Sequence, residues 1–161
     1  KLSLKFKIYN MMTLEELKKK QSDKNRLLGL DLGYKRIGKS ICDEKQLIAT
    51  PFKTILRTNA AQLIKEIKNL IIENNIKGVV IGNPLNMDGS SGRSSQSIKD
   101  TSEYIKKNID IPVYLWDERL STVGAFNLSS QLDVNVSKRE KKIDENAAAF
   151  ILQGAIDFLN N

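Results

Sequence analysis

Apolar and polar positions alternate in two distinct rhythms along the chain, and the change of rhythm divides it. From Arg26 the stretch RLLGLDLG is almost continuously apolar, as a strand buried on both faces should be. RIGKSICD and KQLIATPF follow at spacings too short for any crossover, so these three strands are expected to pair as antiparallel hairpins. Beyond them Leu63, Ile64, Ile67, Leu70 and Ile71 recur at helical spacing and stop at Asn74-Asn75 before a fourth strand, KGVVIGNPL. The Gly-, Ser- and Asn-rich segment NPLNMDGSSGRSSQ reads as a turn or ligand-facing loop. A helix from about Ser94 to Lys107, the strand IPVYLW and a helix opening near Ser121 come next. After the polar stretch VNVSKRE, a final helix over Asp144–Leu159 carries Ala147, Ala148, Ile151, Leu152, Ala155, Ile156 and Leu159 on one apolar face. The order βββαβαβαα predicts an α/β fold, a mixed five-stranded sheet flanked by helices.

Residues 1–25 do not share this patterning. They are expected to form a basic N-terminal extension with one short helix, Thr13 to Lys20, where Thr13 and Glu16 have capping-box spacing. Residues 26–161 are then a single domain, and no internal repeat or second domain is evident. At 161 residues the chain can bury enough surface to need no disulfide or structural metal. It has no run of about 20 apolar residues, and its opening lacks the apolar core of a signal peptide, so a cytoplasmic protein without membrane association is expected.

Composition narrows the chemistry by omission. There is no histidine, and Cys42 is the only cysteine. Ser-His-Asp triads, Cys-His pairs, histidine acid–base catalysis and imidazole or thiolate zinc sites are excluded. Carboxylates holding a hard cation such as Mg²⁺ or Mn²⁺ remain the favoured route to catalysis. The net charge of +7 suggests nucleic acid, but residues 1–26 carry eight Lys/Arg against three Asp/Glu, while residues 27–161 carry eighteen against sixteen. The body's one dense basic cluster is Lys138, Arg139, Lys141 and Lys142, which reads equally as a solvated loop and as a phosphate contact.

Two motif readings compete for the first hairpin. Gly33 to Ser40 fits the P-loop pattern G-x-x-x-x-G-K-[ST], with Asp117 ending VYLWD as a candidate Mg²⁺ partner. A P-loop requires a helix at its Lys-Ser, whereas ICDEKQLIATP lacks a helical stripe and soon meets Pro51, so a hairpin suits the segment better. In the second reading, Asp31 sits inside an apolar strand where an unpaired carboxylate is costly, and a shared cation is a sufficient partner. A turn-capping role is the plainer alternative. Asp117-Glu118-Arg119 places two acids and an arginine at a strand end, and Asp144 opens the last helix, where an acidic N-cap is ordinary.

The strings GLDLGYKRIG (29–38), VVIGNPLNMDGSSG (79–92), WDERLSTVGA (116–125) and DENAAAFILQGAIDFL (144–159) resemble, in order, the signature blocks of the bacterial YqgF family, also called the RuvX or Holliday-junction-resolvase-like family. The resemblance spans about residues 27–159. It implies an RNase H-like fold and a metal-dependent nuclease, associated with 5′-end maturation of 16S ribosomal RNA and earlier with cutting branched DNA. It further implies Asp31, Glu118 and Asp144 as catalytic and metal-holding acids, with Mg²⁺ or Mn²⁺ as cofactor. Arg36, Asn86, Asp88 and Arg119 match positions facing substrate, and Arg93, beside the loop, is a further candidate to fork onto a phosphate. Strand alternation puts Asp117 and Glu118 on opposite faces, and the family pattern favours Glu118. The sequence departs from the pattern at Asn83, at Lys39-Ser40 and at Cys42. Pre-rRNA, branched DNA and ribosomal particles are the implied partners, with the chain a monomer or homodimer. A nucleic-acid- or ribosome-binding factor with little catalysis, and a P-loop hydrolase, are the alternatives.

Overall fold

The structure is a computed structural model that describes residues 25–84, 88–89, 92–117 and the backbone of 136–160, with the side chains of that last stretch described from Asn146 onward. The expected helices over Thr13–Lys20 and near Ser121 lie outside the described residues.

Three strands open the domain: β1 (Leu27–Leu32), β2 (Arg36–Cys42) and β3 (Ala49–Leu56). Helix α1 (Ala60–Asn74), β4 (Gly78–Asn83), α2 (Arg93–Asn108), β5 (Val113–Asp117) and α3 (Val136–Asn160) follow. The five strands form one mixed sheet in the order β3-β2-β1-β4-β5. The hairpin pairs β1–β2 and β2–β3 are antiparallel, and β1–β4 and β4–β5 are parallel, as their crossover helices require.

Both faces of the sheet are covered. On one, Leu28, Leu30, Ile37, Val79 and Ile81 pack against Leu63, Ile64 and Ile67 of α1 and Ile98 and Ile105 of α2. On the other, Leu27, Val80, Tyr114 and Trp116 pack against Ile151, Leu152, Ala155 and Ile156 of α3. This double burial explains why β1 reads as a continuous apolar run. Asn59 caps α1 by accepting a hydrogen bond from the Gln62 amide at 2.8 Å, and Asn75 ends it in the left-handed region at φ 53°.

Two boundaries differ from the pattern. The third strand begins at Ala49 and runs through Leu56, because Asp43 organises the preceding residues as a turn. Its carboxylate accepts from the amides of Lys45, Leu47 and Ile48, which holds its pKa below the usual carboxylate range, and leaves Leu47 and Ile48 exposed. The last helix begins at Val136 rather than Asp144, so Asp144 is an interior helical residue and not an N-cap, and Lys138, Arg139, Lys141 and Lys142 lie on a helix instead of in a loop. Between Val136 and Asn146 there is no Gly or Pro, and the Lys, Arg and Glu residues are good helix formers that extend the helix beyond its apolar face.

Candidate active site

The strand register converges on one edge of the sheet. Leu30 pairs with Ile81 and Ile81 with Leu115, so the parallel strands β1, β4 and β5 end together, with Asn83 beside Asp117. Ligand sites in open α/β sheets form beyond such carboxyl ends.

Alternation then decides which side chains meet there. Leu28 and Leu30 face α1 and α2, whereas Leu27 faces α3. Gly29 lies under α3 so closely that a Cβ on it would meet Leu152 Cβ at 2.8 Å and the Ala148 carbonyl at 3.0 Å, as well as Ser40 Oγ. Asp31 therefore shares α3's face, and it is partly exposed at the strand's end. In β5 it is Tyr114 and Trp116 that face α3, which leaves Asp117 on the α1–α2 face, away from Asp31.

The direction of α3 follows from its hydrogen bonds. Asn160 Nδ2 donates to the Gln46 carbonyl (2.7 Å), and the Gln153 side chain bridges the Ala49 amide and the Leu47 carbonyl. Gln46 itself donates to the Asn25 carbonyl at the amino end of β1. Farther up the helix, the Ala148 carbonyl accepts from Ser40 Oγ at 2.7 Å. The helix thus runs antiparallel to β1, with its amino-terminal turns toward the Asp31 end. Backbone position 144 lies one turn beyond Ala148 in that direction, about 6 Å, while Asp31 lies about 7 Å beyond Gly29.

The turn after Asp31 is built for close approach. The Gly33 amide donates to the Asp31 carbonyl (3.0 Å), and a Cβ at Gly33 would collide with the Arg36 carbonyl. Arg36 opens β2, paired across from Leu56, on the same face as Gly38 and Asp31. Arg93 is the exposed first residue of α2, and Asp88 is exposed in the loop before it. Glu118, Asn86 and Arg119 lie outside the described residues, and the side chain of Asp144 is not among those described. Among the described residues no three acids or cysteines gather closely enough to hold a metal ion.

The P-loop reading is overturned. Lys39 and Ser40 lie in the middle of β2 with no helix following. Lys39 Nζ donates to Glu66 Oε1 at 2.9 Å beneath α1 and sits 5.9 Å from the centre of the Phe52 ring, while Ser40 is spent on α3. Neither can reach a phosphate. Cys42 is buried at the opposite end of β2, where loss of hydration pushes its thiol up to about 11, and takes no part in the site.

Two residues near this edge carried no sequence signal. Arg57 donates to the Gly33 carbonyl (3.1 Å) and to Thr101 Oγ1 (3.1 Å), tying the hairpin turn to α2. Ser95 donates to the buried Asn83 Oδ1 at 2.7 Å, pinning the first turn of α2 to the end of β4. That bond accounts for a polar residue at Asn83, since its buried oxygen is satisfied.

Residues 25–158 match the RuvX family, described as Holliday junction resolvase. A protein of Pelagibacter ubique (strain HTCC1062), named "Putative pre-16S rRNA nuclease", is 69% identical over 151 residues, 94% of this chain and 100% of that one. A protein of the same name from Chelativorans sp. (strain BNC1) is 41% identical over 150 residues, covering 93% and 94% of the two chains. Among solved structures, Thermus thermophilus RuvC in complex with a Holliday junction substrate superposes with a TM-score of 0.51 at 12% identity, over 82% of this chain and 93% of that one. Fowlpox virus resolvase with Holliday junction DNA gives 0.52 at 10% identity, over 84% and 99%. At such identities the likeness concerns the fold, which is RuvC-like and RNase H-like.

Proposed function

The chain belongs to the RuvX family of Holliday-junction-resolvase-like nucleases, and from that premise we propose that it is a divalent-metal-dependent nuclease that matures the 5′ end of pre-16S ribosomal RNA. The observation that carries this reading is the convergence of β1 and α3: Asp31 and the amino-terminal half of α3 lie on one face at one edge of the sheet. The substrate assignment rests on the names of the relatives.

In this reading Asp31, Glu118 and Asp144 hold the metal. The donor chemistry at this edge suits Mg²⁺ or Mn²⁺: carboxylate oxygens are the charged ligands on offer, the chain has no histidine, and its thiol is buried at the far end of β2. A divalent cation bound there supplies Lewis acidity and a nucleophilic water at neutral pH. Asp117, on the opposite face from Asp31, is left out of the ligand set, and Glu118, the acid that follows it in sequence and that the family pattern favours, takes its place. Arg36 and Arg93 fork onto backbone phosphates, where contacts position a strand without reading its sequence. Asn86, Asp88 and Arg119 line the substrate path. Residues 26–161 are the nuclease domain, residues 1–25 a basic extension, and the workplace is the cytoplasm, on pre-rRNA or ribosomal particles.

Digestion of a precursor 16S rRNA fragment tests the proposal. The chain should release the mature 5′ end in Mg²⁺ or Mn²⁺, and Asp31→Asn, with one metal oxygen and its charge removed, should lower the rate by at least about a hundredfold, the scale of several kcal/mol of lost transition-state stabilisation. Equal cleavage by both proteins overturns the site assignment.

A further inference from the structure

The turn between β1 and β2 carries Tyr34, a residue 91% exposed, more than any other large apolar residue among those described. Single exposed aromatics are common and need no explanation by themselves. Here the mount and the surroundings set the residue apart. The Gly33 amide donates to the Asp31 carbonyl, the Lys35 carbonyl accepts from the Arg57 amide at 2.9 Å, and the Arg57 guanidinium spans from the Gly33 carbonyl to Thr101 on α2. The turn is therefore braced on both sides of Tyr34. Its ring projects into water from a fixed backbone, three residues after Asp31 and so within about 11 Å of it along the chain.

The neighbours have the chemistry of a strand-tracking surface. Lys35 is exposed, Arg36 follows, and Leu56, paired opposite Arg36, is 71% exposed. Surfaces that hold single-stranded nucleic acid combine cations that follow the phosphates with an aromatic ring on which a base stacks. The braced turn offers both beside the candidate carboxylate.

We propose that Tyr34 is a stacking platform for an unpaired base of single-stranded RNA, next to the phosphate presented to Asp31, with Lys35 and Arg36 neutralising the flanking phosphates. This rests on the nuclease reading and deepens it by naming unpaired RNA as what the site receives. Base stacking tolerates any sequence, so Tyr34 fixes the position of the strand and not the identity of the base.

The test is binding by the full chain carrying Asp31→Asn, so that nothing is cut, to an oligoadenosine RNA and to an abasic ribose-phosphate strand of equal length, at one salt concentration. Adding Tyr34→Ala should weaken oligoadenosine binding by about 5- to 100-fold, the range for one lost stack, and Tyr34→Phe should retain most of the affinity. On the abasic strand all three proteins should bind alike, and their melting midpoints should agree. Undiminished binding of oligoadenosine by Tyr34→Ala overturns the proposal, and so does an equal loss on both strands, which would mark a structural or purely electrostatic effect. Failure of the Tyr34-bearing protein to bind either strand overturns instead the nuclease reading beneath it.

Discussion

Lys39 shows how a single residue can imitate a motif and serve another purpose. In sequence it completes a phosphate-binding pattern, yet its side chain is almost fully buried and its ammonium pairs with Glu66, whose side chain is 33% exposed. A buried pair seldom adds net stability over a well-packed apolar residue, but removing one partner strands the other charge. Glu66→Ala should therefore destabilise the protein by about 1–3 kcal/mol, below the range for fully buried pairs because Glu66 is partly hydrated. Lys39→Met, which fills the buried site with an apolar side chain and leaves behind only the partly hydrated Glu66 carboxylate, should cost less than Glu66→Ala, which strands a buried ammonium. Denaturant midpoints of the two variants check this, and a larger loss in Lys39→Met would contradict it. The motif misleads because a regular expression records spacing only, while the alternation of β2 turns Lys39 toward α1 and Ser40 toward α3.

Among the elements, α3 matters most to the site, and its placement depends on one glycine. The helix crosses β1 at Gly29, where a methyl group would meet Leu152 and the Ala148 carbonyl, the same carbonyl that accepts from Ser40. Gly29→Ala should push the helix outward, costing about 1–3 kcal/mol as overpacked cores do. Because α3 carries position 144, the same substitution should lower nuclease activity well below what its fraction folded accounts for. Activity and melting measured on the same preparation separate the two effects, and full specific activity in the folded fraction would refute the coupling. The apolar face of α3, Ala147 to Leu159, was legible at helical spacing because it is buried against the sheet. Its first two turns were not, since charged residues follow no burial pattern and propensity alone continues the helix back to Val136. The start of β3 was missed for a related reason: Leu47 and Ile48 look like strand residues, and only the side-chain hydrogen bonds of Asp43 turn them into a loop.

At the scale of the whole molecule, topology brings the candidate acids toward one another, because residues 31 and 144 belong to separate elements that meet on one face at one edge of the mixed sheet. Hairpin spacing and two crossovers pointed to a mixed five-stranded sheet; the strand order and the side of the sheet that each acid occupies needed the register, which places Asp31 with α3 and Asp117 opposite. Charge, by contrast, is not distributed along with the fold. Residues 1–24 hold seven Lys against three Asp/Glu, whereas residues 27–161 are nearly balanced. If this extension supplies sequence-independent attraction to phosphates, binding should weaken with salt more steeply in its presence, since every neutralised phosphate releases condensed counterions. The cut belongs before Asn25, whose carbonyl already accepts from Gln46 and helps hold the start of β1. A chain beginning at Asn25 should keep its melting midpoint while its slope of log affinity against log salt on single-stranded RNA falls by about 3, at roughly 0.7 for each of the four net charges removed. The residual slope should then trace to the cations of the domain, Arg36 and Arg93 among them, and lessen further when these are changed to Ala. An unchanged slope in the shortened chain would assign phosphate binding to the domain alone and leave the extension without a part in it.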